Sequence, residues 1–244
     1  MSRKKATPAT PAKPRNYLLI GAGGTGSILF PLLIRYLETY ERTEGKPFTM
    51  AVIDGKNVAA TKLERQLFFS QFIETNKAQA IIEQYACDPN VIIAVPKYLG
   101  EADMGSIEDN DVILIAADNW PIRAHIERRV LSLDNAIVIN GGNELIDGSC
   151  QIWIRRDGKN ITPPLSQGHP EILQPGEDMA LMSCQQIAEM PGGGQTIIAN
   201  SMSATAMLNA LRHIHDWEAK SEEAPTWNEA FFDLQTFNMR PRSR

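Results

Sequence analysis

The 244-residue sequence predicts an α/β protein with a Rossmann-like, doubly wound and mainly parallel sheet. Three observations predict it: short apolar strands alternate with helical segments, a glycine-rich turn joins the first strand to the first helix, and acidic residues follow the ends of strands. A chain of this length suits one large domain, or one domain with an appendage. With 43% hydrophobic and 22% charged residues, the composition excludes a fibrous or wholly disordered protein.

The first 15 residues differ in composition from the rest of the chain. They hold basic residues, no acidic residue and three prolines in the short stretch 8–14, which predicts a disordered basic tail over 1–15. The remainder of the chain is acidic, and aromatic residues make up only 7% of the sequence. We therefore expect no specific nucleic-acid partner.

Membrane, secretion and zinc signals are all missing from the sequence. The longest apolar run covers 112–117, far short of the roughly 20 residues that cross a bilayer. No apolar stretch follows the basic N-terminus, so no secretion signal is predicted. Cys87, Cys150 and Cys184 form no paired spacing, which argues against a zinc site and suits a reducing compartment. We therefore predict a cytoplasmic protein.

A nucleotide-binding pattern occupies the first strand, the first helix and the second strand. The apolar strand 17–20 leads into the turn 21–27 (GAGGTGS), a helix is predicted over 28–40, and the strand 50–53 ends at Asp54. In a G-x-G-x-x-G turn, the missing side chains permit a tight bend, close approach of phosphate to backbone, and close packing of helix on strand. The N-terminus of the helix then faces the phosphates, and Asp54 stands where an acid accepts hydrogen bonds from a ribose. The glycines of this pattern are Gly21, Gly23 and Gly26, with Gly24 beside them.

Two reactions are compatible with that pattern: hydride transfer by a nicotinamide dinucleotide, and adenylation by ATP. The segment 61–66 (TKLERQ) and Lys77 supply basic side chains that suit a triphosphate. Arg65 can hold phosphate oxygens through its planar fork, and Lys77 can meet the charge that builds as pyrophosphate leaves. A solvated charged helix, with Lys62 and Arg65 one turn apart, explains the same residues equally well.

A second acidic residue, Asp118, follows the buried strand predicted over 111–117. Ligands of doubly wound folds bind at the carboxyl ends of the parallel strands, so a carboxylate there suits Mg²⁺ bound with a triphosphate. Asp118 is also a favoured residue type for capping the helix predicted over 121–133. The two roles are compatible.

Taken in order, 21–27, Asp54, 61–66, Lys77 and 117–119 resemble the ThiF/MoeB family of ubiquitin-like-protein-activating enzymes. The resemblance implies Mg²⁺- and ATP-dependent adenylation of the C-terminal glycine carboxylate of a ubiquitin-like protein. It also implies a homodimer and a conjugating-enzyme-like protein as a further partner. The residues that it assigns to ATP are Gly21, Gly23, Gly24, Gly26, Asp54, Lys62, Arg65, Gln66 and Lys77.

In the reaction that the resemblance implies, Arg65 and Lys77 contact the phosphates and Asp118 binds Mg²⁺. Some family members carry a cysteine at the place of Cys184 that takes the acyl group from the adenylate. Packing under a loop is the alternative role for that thiol. Within the family, the chain length, the missing zinc pairs and the ending 232–236 are most similar to the ThiF-related member of plasmid-borne PRTRC cassettes.

The resemblance also implies a division of the chain. One adenylation domain covers 16–244, with an ATP-binding half at 16–140 and a protein-binding half at 141–244. The second half extends the sheet with strands predicted at 149–154 and 231–238. The glycines and asparagine of 141–143 are predicted as a turn, and a crossover loop is predicted at about 157–190, where proline and glycine are frequent.

One departure from the family pattern keeps an alternative function open. Lys62 stands where the family usually has asparagine, so a catalytically silent nucleotide-binding or scaffold protein is a second hypothesis. An NAD-dependent oxidoreductase is a third, and it is disfavoured by Arg65, Lys77 and Asp118. The histidines predict no site, because His169 stands alone in the loop and no Ser-His-Asp or histidine-rich metal set can be assembled.

Overall fold

The computed structural model of the protein describes residues 13–117, 120–173 and 195–244. It confirms the predicted α/β class. The described helices are α1 (Gly24–Glu44), α2 (Lys77–Gln84), α3 (Trp120–Leu131), α4 (Leu165–Gly168) and α5 (Ile197–Lys220). The described strands are β1 (Arg15–Ile20), β2 (Phe48–Ile53), β3 (Ile92–Val95), β4 (Val112–Ile115), β5 (Ala136–Asn143), β6 (Asp147–Arg156), β7 (Lys159–Asn160), β8 (Glu229–Asp233) and β9 (Asn238–Arg242).

These strands form one mixed sheet in the order β3-β2-β1-β4-β5-β6-β8-β9, with β7 paired to β6. The five strands from β3 to β5 are parallel, and β6, β8 and β9 extend the sheet in antiparallel fashion. The chain order reverses between β1 and β4, where Leu19 of β1 pairs with Val52 on one side and Leu114 on the other. Ligands of such sheets bind at the carboxyl edge of this reversal point.

Helices cover both faces of the sheet because successive strand residues point to opposite sides. On β1, Leu19 joins a core cluster with Leu33 of α1 and Leu211 of α5. The next residue, Ile20, joins a separate cluster with Ile126 of α3. The apolar runs of the parallel strands are therefore buried on both faces, as in a doubly wound fold.

Two predictions for the second half are wrong in their boundaries. Residues 141–143, predicted as a turn, continue β5, because Gly141 and Gly142 pair with Cys150 and Ser149 of β6. The last strand, predicted at 231–238, is a hairpin of β8 and β9. The carboxylate of Asp233 accepts hydrogen bonds from the backbone nitrogens of residues 235 and 236, and this tight turn ends β8.

The predicted tail and loop are described only in part. Arg15, assigned to the tail, begins β1, and its guanidinium donates to Glu218 of α5 at 2.7 Å. The remainder of the tail, 1–12, lies outside the described residues. Within the predicted crossover loop, 157–173 contains β7, α4 and a 3-10 turn at Pro170–Ile172, while the remainder, 174–190, lies outside the described residues. None of the helices that the structure describes combines the length and apolar character needed to cross a bilayer.

Candidate functional site

A cavity of about 840 Å³ opens at the carboxyl edge of the parallel strands. Its walls come from the glycine turn, the loops after β2 and β3, the start of α2, and the ends of β5, β6 and β8. The cavity thus extends from the reversal point of the strand order to the antiparallel extension of the sheet. The predicted ATP-contacting residues in its walls are Gly21, Gly23, Gly24, Asp54, Lys62, Arg65, Gln66 and Lys77.

The glycine turn places the first turn of α1 at the cavity. Gly21 has φ +93°, a conformation that other residues rarely adopt, and a Cβ there would lie 2.9 Å from the backbone of Ala116. A Cβ on Gly26 would lie 1.9 Å from the carbonyl oxygen of Gly21, so this glycine permits α1 to pack on the turn rather than lining the cavity. No described side chain caps the helix, which leaves its first N–H groups for an anion.

Asp54 connects the loop after β2 with the glycine turn. One carboxylate oxygen accepts a hydrogen bond from the backbone nitrogen of Ala22 at 2.8 Å, and the other accepts from that of Lys56 at 2.7 Å. Asn76 supports the same loop, since its amide donates to the carbonyl oxygen of Asp54 while its side-chain oxygen caps α2. The asparagine before a helical segment is a capping signal from which this support could have been predicted.

Five basic side chains line the cavity around this loop. Lys62 ends a 3-10 turn at Ala60–Lys62 and Arg65 follows that turn, so the charged α-helix of the alternative prediction is not formed. Lys77 is the first residue of α2 and is only 3% exposed. Lys77 is also one of the residues that line the cavity. Among the described residues, the basic ones that line the cavity around this loop are Lys56, Lys62, Arg65, Lys77 and Lys97, which we call the basic end.

A clamp of three polar side chains holds the basic end to the rest of the fold. Thr25 of α1 donates to Asn143 of β5 at 3.0 Å, and Asn143 donates to Asn200 of α5 at 3.0 Å. Asn200 in turn donates to the backbone oxygen of Arg65 at 3.0 Å. No sequence signal predicts this clamp, because its members are far apart in the chain.

A row of polar side chains forms the opposite end of the cavity, which we call the far end. Arg123 of α3 donates to Asn140 of β5, and Asn140 donates to Gln151 of β6, each at 2.9 Å. Gln151 donates to Glu229 of β8 at 3.3 Å, and His169 lies 3.0 Å from the same carboxylate oxygen. Of these five, all but the buried Glu229 belong to the cavity wall.

Charge pairing at the far end shifts two pKa values. The hydrogen bond with Glu229 raises the pKa of His169 above its ordinary value, and Glu171 on the other ring nitrogen adds to this. Burial of Glu229 opposes its ionisation, but His169 and Arg244 outweigh burial and hold the pKa of Glu229 below its ordinary value. His169, which the sequence left without a role, is therefore part of the cavity wall and of its charge balance.

The described residues provide neither a group of metal ligands nor a cysteine thiol with a lowered pKa. No group of three or more His, Cys, Asp or Glu within 13–117, 120–173 and 195–244 could hold a metal ion. Cys150 is buried in β6, and burial raises the pKa of its thiol to about 12. Burial also raises the pKa of Cys87. The predicted Mg²⁺ ligand Asp118 and the predicted acyl acceptor Cys184 lie outside the described residues.

The fold resembles that of several solved proteins at low sequence identity. PaaA matches with a TM-score of 0.63 and 15% identity, over 94% of this chain and 64% of PaaA. E. coli MccB, solved with ATP, matches with a TM-score of 0.64 and 13% identity, over 94% of this chain and 63% of MccB. MccB solved with AMPCPP and MccA matches with a TM-score of 0.62 and 12% identity over the same shares. This chain therefore spans just under two thirds of the length of these proteins.

Comparison by sequence identifies one family. No curated protein matches the chain. The model of the ThiF family, by contrast, matches residues 12–243, which is nearly the whole chain and includes both ends of the cavity. On that match, this chain belongs to the ThiF family.

Proposed function

We propose that this protein is an adenylating enzyme that joins AMP from ATP to the C-terminal glycine carboxylate of a ubiquitin-like protein. The single observation that supports the proposal most is the continuity of the cavity, which joins a basic end to a far end on the antiparallel strands. A reaction between a triphosphate and a peptide tail needs both to reach one space. E. coli MccB, which shares the fold, has been solved with ATP and with AMPCPP and MccA.

At the basic end, different residues would bind different parts of ATP. The glycine turn and the uncapped first turn of α1 hold phosphate oxygens, and Asp54 holds the ribose hydroxyls. Arg65 binds phosphate oxygens through its guanidinium fork. Lys77, fixed by the start of α2, meets the charge that grows on the departing pyrophosphate.

In the reaction, an oxygen of the substrate carboxylate attacks the α-phosphorus of ATP. A new oxygen–phosphorus bond forms, the bond from the α-phosphorus to the bridging oxygen breaks, and pyrophosphate leaves with the electron pair. The enzyme's contribution is positioning and charge neutralisation. Mg²⁺ would neutralise further phosphate charge, and Asp118 is the protein ligand that we propose for it.

The substrate tail would reach the α-phosphate from the far end. At this end Gly142 and Ser149, whose side chains are absent or small, line the cavity beside Gln151. A C-terminal glycine needs no space for a side chain of its own as it approaches the α-phosphate. A homodimer and a conjugating-enzyme-like partner belong to the same proposal.

Cys184 is proposed as the acyl acceptor of a second step. Its thiolate sulfur would attack the acyl carbon of the adenylate, forming the thioester as AMP leaves with the electron pair of the broken carbon–oxygen bond. Replacement by alanine should leave the acyl adenylate and abolish an adduct of enzyme and partner that is cleaved by a thiol. If the Cys184→Ala protein still forms that adduct, another group is the acceptor.

The proposal is tested by incubating the enzyme with ATP labelled at the α-phosphate and a ubiquitin-like protein ending in glycine. Label should appear on the partner, and a partner whose C-terminal carboxylate is converted to an amide should stay unlabelled. ATP binding without labelling would favour the silent nucleotide-binding alternative. That alternative rests on Lys62, whose charge lines the cavity where the family has a neutral amide. Absorbance change with a nicotinamide dinucleotide would instead favour the oxidoreductase.

A further inference from the structure

A third region of the cavity, beyond the basic end and the far end, is apolar. Leu99, Ala117 and Ile122 line the cavity and belong to one hydrophobic cluster on the α3 side of the sheet. Tyr98 stands beside them in the wall and is 63% exposed. An aromatic ring that lines a cavity with most of its surface uncovered offers a flat face to a ligand.

We propose that Tyr98 is a specificity-determining residue that stacks on the purine base of the bound nucleotide. The inference rests on the proposed function, since it takes ATP as the ligand. The proposed function assigns two parts of ATP to this cavity: the phosphates to the start of α1 and the ribose to Asp54. The base is attached to the ribose on the side away from the phosphates. Because β3 is the neighbour of β2, the loop after β3, which carries Tyr98, borders that side.

The chain seats the ring of Tyr98 against the loop that holds the ribose. A Cβ on Gly55, the residue after Asp54, would lie 2.5 Å from Cδ2 of Tyr98 and 2.7 Å from its backbone nitrogen. Only glycine at position 55 permits this contact. Tyr98 and Asp54 are thus held at a fixed spacing, as a base and its ribose require.

The loop that carries Tyr98 is fastened on both sides. Before it, the backbone nitrogen of Lys97 donates to the carbonyl oxygen of Val95 at 2.8 Å. After it, the carboxylate of Asp103 accepts from the backbone nitrogen of Gly100 at 2.9 Å and pairs with the ammonium of Lys97 at 2.5 Å. A ring placed by such a loop loses little freedom when a base stacks on it.

Stacking on Tyr98 favours purines because their two fused rings overlap the phenol ring more than a pyrimidine does. The hydroxyl group has no part in this contact. Tyr98→Phe should therefore keep the preference, and Tyr98→Ala should remove it.

Calorimetric titration of the full chain with ATP, and separately with CTP, tests the inference. Tyr98→Ala should raise the Kd for ATP roughly tenfold and reduce the preference for ATP over CTP, with Tyr98→Phe close to wild type. In pyrophosphate exchange, Tyr98→Ala should raise the KM for ATP and leave kcat nearly unchanged. Phe69→Ala, at a 57% exposed aromatic outside the cavity wall, is the matched control and should change neither Kd.

If Tyr98→Ala melts at the same temperature as wild type and its Kd for ATP is unchanged, the inference is overturned and the proposed function still stands. A raised Kd in a protein that adenylates no partner would support the base site while the proposed function fails. Absence of nucleotide binding by the wild-type protein would overturn both.

Discussion

The basic end and the far end of the cavity carry different sets of polar side chains, and the cations of the basic end include Lys97, which pairs with Asp103. At the basic end, the side chains of Lys56, Lys62, Arg65, Lys77 and Lys97 line the cavity. At the far end, Arg123, Asn140, Gln151, Glu229 and His169 hydrogen-bond to one another in a continuous row. The first arrangement suits binding a charged ligand, and the second suits holding four elements of the fold at a fixed spacing.

Substitutions at the basic end should therefore affect chemistry, and substitutions at the far end should affect stability. Charges that face a cavity do little for folding, but they act on a ligand in a site of low dielectric. Buried partners that satisfy one another become costly when one is removed, because the other is left with an uncompensated charge or hydrogen bond.

Loss of the lysine at the start of α2 should have the largest effect on chemistry. Lys77→Ala should lower the rate of ATP–pyrophosphate exchange roughly 10²- to 10³-fold, because the charge of the departing pyrophosphate loses its counter-charge. Lys159→Ala, on the surface strand β7, is the control and should exchange at the wild-type rate. An unchanged rate in Lys77→Ala, with the fold intact by circular dichroism, would remove Lys77 from the reaction.

Neutralising Glu229 at the far end should destabilise the fold instead. Glu229→Gln leaves Arg244 and His169 without their carboxylate, and should lower the free energy of unfolding by about 3 kcal/mol in urea titration. The pKa of His169 should fall, because the hydrogen bond with Glu229 is the main cause of its elevation, and NMR titration would show this. Glu171→Gln, on the half-exposed partner of the same ring, is the matched control and should cost less than about 1 kcal/mol.

A buried histidine away from the cavity, His215, has a pKa shifted in the opposite direction to that of His169. His215 of α5 lies between the hydroxyls of Tyr17 and Tyr36, at 3.2 and 2.9 Å from its two ring nitrogens. Burial lowers its pKa to about 4, and the nearby charge of Arg15 adds to this. Because the pKa is about 6.5 in the unfolded chain, the unfolded state binds more protons between these values. Stability should therefore fall as pH falls through this window.

The size of that loss can be measured by urea titration at two pH values. Between pH 7 and pH 5, wild type should lose about 2 kcal/mol of unfolding free energy through His215. His215→Gln should lack this part of the loss, and His125→Gln on α3 should retain it. An equal loss in wild type and His215→Gln would mean that other groups cause the acid sensitivity.

Breaking the polar clamp should have the smallest effect, and it should change both stability and ATP binding. Asn200→Ala removes the donor to the backbone oxygen of Arg65 and the acceptor for Asn143, which should cost about 1–2 kcal/mol of stability. The Kd for ATP should rise a few-fold as the loop of Arg65 loosens. Asn209→Ala, exposed on the same helix, is the control. Wild-type values of both quantities in Asn200→Ala would show that the clamp is not needed.

The basic end of the cavity is predicted from the sequence better than the far end. The segment from β1 to Asp54 is predicted in the order and type of its elements, because a strand, a glycine turn and a helix are local features that tertiary contacts only reinforce. The predicted helix bounds of 28–40 are too short, since α1 begins within the glycine turn and covers Gly24–Glu44. Three of the basic residues, Lys62, Arg65 and Lys77, are predicted for the same reason, since they lie close to that segment in the chain. Lys56 and Lys97 also line the cavity and are not predicted. The far end is not predicted, because His169 and Glu229 are 60 residues apart and only the sheet brings them together.

The errors have physical causes of the same kind. Gly141 and Gly142 are residue types typical of turns, but pairing with β6 extends them as strand. The apolar pattern of 231–238 suggests one strand, whereas the carboxylate of Asp233 forms a turn that divides it into a hairpin. In both cases long-range pairing or a side-chain hydrogen bond overrides local propensity. The assignments of Asp118 and Cys184 stay predictions.

Adenylation of a protein tail is best tested by ATP–pyrophosphate exchange with the full chain, Mg²⁺ and a ubiquitin-like protein ending in glycine. We expect exchange that requires the free C-terminal carboxylate of the partner and is lost in Arg65→Ala, while Arg35→Ala on the surface of α1 exchanges normally. Exchange that continues at the same rate without the partner's carboxylate, or no exchange by a protein that binds ATP, would contradict this expectation.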